Sequence, residues 1–169
     1  TVLQGFAEDI SEAHIGAYDL CLSVNVVEHT LSPQRFLETC AKVIRPDGVV
    51  IVICPDGETP GTELLFYDHV SSFTRGSLSY FANRADLFCV DRQALTGPLQ
   101  GFQMFLLKPG ADPSVAVGRI SGLSQRRADF LETWRTCETS MRARLGAQPY
   151  AIFGVGEYAD LLAAYAPGL

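Results

Sequence analysis

Residues 18–55 read YDLCLSVNVVEHTLSPQRFLETCAKVIRPDGVVIVICP, and their order decides the fold. The opening YDLCLSV (Tyr18–Val24) is apolar and strand-favouring, and it reads as a buried strand. Ser32 then supplies an N-cap, and Pro33 occupies the first helical position, where its missing N–H costs nothing. Phe36, Leu37, Cys40, Val43 and Ile44 follow at helical spacing and give one apolar face. Arg45-Pro46-Asp47-Gly48 stops that helix, since proline cannot continue it and Asp-Gly suits a tight turn. VVIVIC (49–54) is β-branched and apolar throughout, as expected of a strand buried on both faces. Strand, helix, turn and strand in this order predict a right-handed βαβ unit with a parallel pair.

Downstream, PDGETPGT (55–62) is a breaker-rich loop at the carboxyl end of the second strand, where open α/β sheets bind ligands. A helix is expected over about 75–82. Strands are expected over 87–90 and 102–107, joined through Gly97-Pro98 and Gly101 as an antiparallel hairpin. From Pro113 to about Leu145 apolar positions keep near-helical spacing and arginines fall between them. One long amphipathic helix is therefore expected, weakened at Gly118 and Gly122 and capped at Gly146. A short strand over 150–153, the turn Gly154-Val155-Gly156 and a helix over 157–165 would open a second β-α unit. The expected division is 1–110, 111–148 and 149–169.

Composition narrows the function. The chain has 169 residues, 47% of them hydrophobic and 19% charged, enough apolar content for a core and too much for a disordered chain. Thirteen Lys and Arg against nineteen Asp and Glu leave a net charge of −6. That excess opposes a nucleic-acid or anionic-membrane partner. The longest apolar runs, 49–54 and 161–166, are far short of the ~20 residues a bilayer crossing needs. No basic stretch with an apolar segment behind it opens the sequence, so no secretory signal is expected. Five cysteines, odd in number and never spaced C-x-x-C, suggest reduced core thiols in the cytoplasm and no metal site. Thr1 opens straight into Val2-Leu3, and 166–169 follow directly on a helix, so a piece of a longer protein is expected.

Several short motifs stand in a suggestive order: Gly5-Phe-Ala-Glu-Asp9, Tyr18-Asp19-Leu, Asn25-Val-Val-Glu-His29, Pro33, Phe36-Leu37, Arg45-Pro-Asp-Gly48 and the VVIVIC strand ending in Pro55. Together they resemble the second half of a class I S-adenosylmethionine (SAM) dependent methyltransferase, and the resemblance covers about residues 1–108. It implies a partial Rossmann-like α/β sheet with a terminal antiparallel hairpin and transfer of a methyl group to a small-molecule acceptor. The resemblance assigns cofactor contacts to Ala7, Glu8, Asp9, Ser23 and Asn25, with the carboxylate of Asp9 accepting from the adenine amine. It places the Glu28-His29 pair at the mouth of the site and Tyr67-Asp68-His69 over the substrate pocket. His29 and His69 are the candidate catalytic residues; each can equally be a structural hydrogen-bonder, and Asp68 either orients His69 or caps the following helix.

The family's glycine-rich turn and second acidic residue have no counterpart in these 169 residues. In the family the strand at Tyr18 pairs with the strand preceding that turn. Either a missing N-terminal half or a homo-oligomer partner is therefore expected to cover this edge. A second reading is a non-catalytic binding or assembly module that kept the fold. A third uses Gly154-x-Gly156 to hold a nucleotide, although the third glycine of a dinucleotide fingerprint is replaced by Ala159. Turn permission alone also explains these glycines. Their placement resembles methyltransferases with a second Rossmann-like domain, such as sugar C-methyltransferases.

Overall fold

The computed structural model describes residues 5, 9–146, 151–154 and 156–169. They divide into two compact units, Thr1–Ile120 and Ser121–Leu169.

The first unit holds β1 (Tyr18–Val24), α1 (Pro33–Val43), β2 (Ile44–Pro55), α2 (Arg75–Arg84), β3 (Leu87–Ala94) and β4 (Phe102–Pro109). One four-stranded sheet has the order β1-β2-β4-β3. β1 and β2 are parallel, with Leu22 opposite Ile51, so the expected βαβ unit forms. β3 and β4 make the expected antiparallel hairpin, and β4 also runs antiparallel to β2. The local signals act as read. Ser32 accepts from the Arg35 amide at 3.4 Å with Pro33 in the first turn of α1. Thr74 and Ser77 form a reciprocal capping box at the start of α2. The Arg45–Gly48 turn is absorbed into β2 as an irregularity: Tyr18 pairs with Ile44 and Leu20 with Val49, which leaves Asp19 facing residues 45–48 and ion-paired to Arg45.

Burial departs from the sequence expectation. α1 and α2 pack Phe36, Leu37, Cys40, Val43, Leu78 and Ala82 against Val50, Val52, Cys54, Phe105 and Leu107, and these residues form the core. That covers one face of the sheet. On the other face the register aligns Leu20 with Val49, Leu22 with Ile51 and Val24 with Ile53. The three β1 side chains are exposed, Leu22 at 59%, and their β2 partners are only half-buried. β1 is therefore an edge strand with a bare apolar face rather than a buried strand, and β2 is fully buried on one face only.

The second unit contains α3 (Leu123–Arg135), α4 (Cys137–Leu145) and α5 (Glu157–Tyr165). The single helix expected over 113–145 forms as two and starts at Leu123. Ahead of it, Asp112 accepts from both the amide and the hydroxyl of Ser114, a local turn that competes with helix. Gly122 then enters α3 at φ 70°. At Thr136 the hydroxyl donates to the Glu132 carbonyl at 2.9 Å, and the chain breaks before α4. Trp134 and Tyr165 meet edge to face at 5.6 Å within this unit. Of the expected second β-α unit only the helix is seen: residues 151–154 are irregular, and Tyr150 lies outside the described residues. Gly154 and Gly156 both have positive φ, the turn-permitting role.

Candidate active site

The parallel pair delivers its two carboxyl ends to one side of the sheet, and the polar side chains gather there. After β1, Asn25 turns the chain at φ 52° while its amide donates to the Ile53 carbonyl at 2.9 Å. A single 3₁₀ turn, Val27–His29, follows. It puts Val27 and Glu28 inside and His29 outside.

The loop after β2 returns over this turn, because the Ser71 amide donates to the Glu28 carbonyl at 3.1 Å. Two residues of distant sequence thereby become neighbours. The rings of His29 and His69 meet edge to face with centroids 4.7 Å apart, and Phe66 flanks His69 at 5.2 Å. His29 Nδ1 lies 3.1 Å from the Asp68 carbonyl oxygen and 3.4 Å from its carboxylate. A carbonyl can only accept, so Nδ1 carries the hydrogen and Nε2 is the basic nitrogen.

Glu28 is the unusual group. It is 1% exposed, and neither carboxylate oxygen has a hydrogen-bond partner. Burial pushes its carboxyl above the usual carboxylate range, partly opposed by nearby backbone amides and by His29. Glu28, His29 and His69 each offer a ligand atom, all within 4.8 Å of one another.

The other candidates fall elsewhere. Ser23 is buried on the α1 side of β1 with its hydroxyl unpartnered. It lines a cavity of about 420 Å³ together with Ile10, Cys21, Val26, Phe36 and Cys40. Asp9 is exposed beside Ile10, whereas Ala7 and Glu8 lie outside the described residues. Asn25 is exposed at the end of β1. The structure thus unites His29 with His69 and leaves Ser23 in a separate, mainly apolar recess.

Sequence reasoning missed a supporting network. Gln103 is fully buried and donates to the Pro55 carbonyl at 3.0 Å and the Phe73 carbonyl at 2.6 Å. Arg92 donates to Gln103 Oε1 at 3.1 Å and pairs with Asp56 at 2.9 Å. This lattice ties the end of β2 to the segment that follows His69. The available signal was a glutamine in phase with the inward Phe105 and Leu107 of an apolar strand.

Residues 1–52 match the family described as a methyltransferase domain. A ubiquinone biosynthesis O-methyltransferase of Caulobacter sp. (strain K31) is 44% identical over 46 residues, which is 27% of this chain and 18% of that protein. The corresponding enzyme of Caulobacter vibrioides is 39% identical over the same length, with the same shares. The match thus spans under a fifth of the length of these relatives. Among solved structures, a putative methyltransferase of Haloferax volcanii superposes with TM-score 0.55 at 10% identity, over 65% of this chain and 61% of that one. The mitomycin 7-O-methyltransferase MmcR gives 0.53 at 16% identity, over 64% and 34%. A Clostridium acetobutylicum S-adenosylmethionine-dependent methyltransferase gives 0.51 at 9% identity, over 63% of both chains. These likenesses establish the fold. Residues 1–52 thus match a methyltransferase domain, and the first unit has the fold seen in these methyltransferase structures.

Proposed function

We propose that this chain is a portion of a cytoplasmic SAM-dependent methyltransferase that acts on a small molecule. The observation that carries the reading is the His29–His69 pair, held by Asp68 at the carboxyl end of β1 and β2 in a methyltransferase fold. The residues suit the cofactor in part. The net charge of −6 favours a cationic ligand, Asp9 offers an exposed acceptor, and the orphaned Ser23 hydroxyl marks a polar gap beneath the strand end. When bound, SAM supplies an electrophilic methyl group on a sulfonium.

The chain's own contribution is positioning and proton transfer. With Nδ1–H committed to the Asp68 carbonyl, His29 Nε2 can take the proton of an acceptor hydroxyl as the oxygen gains its methyl. The His69 ring and Phe66 wall the same position. The bare edge and apolar face of β1 support a cofactor site completed by elements outside these residues or by a second copy. Free cysteines at 21, 40, 54, 89 and 137 support a reducing compartment.

The test is methyl transfer from labelled SAM to small hydroxylated acceptors by the product of the complete coding sequence. His29→Asn is expected to lower kcat by about 10²- to 10⁴-fold. Unchanged kcat in both His29→Asn and His69→Asn would overturn the assignment of a base here.

A further inference from the structure

We infer that Cys21 and Cys40 form a two-thiol site that a small neutral hydroperoxide oxidises to a reversible disulfide. The inference stands on these side chains and the recess beside them, whether or not the chain transfers methyl groups.

Strand and helix periodicity bring the two thiols together. On β1, Cys21 and Ser23 alternate with the exposed Leu20, Leu22 and Val24, so both lie on the α1 side. On α1, Cys40 follows Phe36 by one turn and shares its inward face. Cys40 belongs to the core at 4% exposure, and half-buried Cys21 packs against that core. Their thiols share a hydrogen bond. The other three cysteines meet other groups. Cys54 Sγ accepts from the Gln103 amide at 3.9 Å, the Cys89 thiol donates to the Asp91 carbonyl at 3.4 Å, and the Cys137 thiol donates to the Met141 sulfur at 3.8 Å.

Access and charge set the roles and the oxidant. Both cysteines line the recess of about 420 Å³, with the unpartnered Ser23 hydroxyl next to Cys21. The residues lining it are all uncharged, and the chain carries a net charge of −6. That favours an uncharged peroxide over an anionic oxidant such as glutathione disulfide. The Cys40 S–H favours the thiolate of Cys21 and lowers its pKa, against the opposing effect of burial. Cys21 is therefore the attacking sulfur, and sheltered Cys40 resolves. The Cys21 thiolate takes the terminal peroxide oxygen as the O–O bond breaks, leaving a sulfenic acid, and the departing alkoxide picks up the proton that Cys21 released. The Cys40 sulfur then displaces the sulfenic oxygen, which leaves as water with the Cys40 proton. Two thiols and one hydroperoxide become a disulfide, an alcohol and water: the sulfurs lose two electrons and the peroxide oxygens gain them. Exchange with free thiols restores the pair.

The test treats the reduced whole chain with hydrogen peroxide, blocks remaining thiols with N-ethylmaleimide and maps tryptic peptides without reductant. Trypsin places Cys21 in peptide 1–35 and Cys40 in peptide 36–42. The expected product is these two peptides joined, formed before Cys54 or Cys137 reacts and parted by dithiothreitol, in a chain that runs as monomer on a non-reducing denaturing gel. Cys40→Ser is expected to stop at a Cys21 sulfenic acid that dimedone traps. Cys21→Ser is expected to leave Cys40 reduced at the same dose, and it changes only a half-buried thiol, so it reports even if serine at buried position 40 disturbs the fold. Absence of the joined peptides, a bond to a different cysteine or between copies, or Cys40 oxidised as fast in Cys21→Ser overturns the site. Closure by glutathione disulfide but not by hydrogen peroxide overturns the oxidant.

Discussion

Neighbouring side chains of the same type meet different fates because single turns sort them. The thiols of Cys21 on β1 and Cys40 on α1 share a hydrogen bond. The buried Cys40 keeps its proton, its pKa pushed up by that bond and then by burial, while the bond lowers the pKa of half-buried Cys21. Burial raises the Cys54 thiol to about 12. Only a thiolate is nucleophilic, so alkylation of the native chain at pH 8 should label Cys21 well before Cys40 or Cys54. Peptide mass mapping checks this, and modification of Cys54 at the rate of Cys21 would contradict the burial pattern. The same logic of single turns separates the Glu28-His29 pair, which the resemblance placed together at the mouth of the site. A Glu-His pair is visible in sequence, but only the 3₁₀ turn shows that the acid faces inward while the imidazole faces out.

Among the elements, the loop after β2 depends on two substitution-sensitive points. A Cβ on Gly57 would lie 2.7 Å from both the Phe73 carbonyl oxygen and the Ser72 hydroxyl, so backbone must move. Gly57→Ala is expected to cost about 1–3 kcal/mol in urea unfolding and to perturb the His69 ring resonances by NMR. Gln103→Leu strands the Pro55 and Phe73 carbonyls and the Arg92 Nε–H. At ~1–3 kcal/mol for each unsatisfied buried group, its loss should be at least as large. A Gln103→Leu chain as stable as the parent would refute the buried network. The βαβ unit and the hairpin were readable because caps, breakers and periodicity agree along the chain. The break at Thr136 was not, because the 113–145 pattern is set by apolar spacing, whereas the break is made by side-chain bonds to the backbone. Strand burial misled for a related reason: an apolar run records which faces are meant to be covered, not which are covered within these residues.

For the whole molecule, that uncovered face is the dominant physical feature. Leu20, Leu22 and Val24 stand exposed on an edge strand whose outer backbone groups face no further strand among the described residues. Sedimentation velocity should show residues 1–169 self-associating as concentration rises. Leu22→Lys, at an exposed position, should shift the population to monomer with an unchanged circular dichroism spectrum. A parent chain that stays monomeric throughout would contradict an adhesive edge. The parallel pair and the terminal hairpin were legible in the sequence, but the β2–β4 pairing that joins them was not, and no motif in one chain can report what lies against it. The central claim is that these residues form half of a cofactor pocket, and one calorimetric comparison bears on it directly. SAM is titrated into the product of the complete coding sequence and into the Leu22→Lys monomer of residues 1–169. Saturable micromolar binding to the first and none to the second is the expected result; micromolar binding to the isolated monomer, or silence from both, would contradict it.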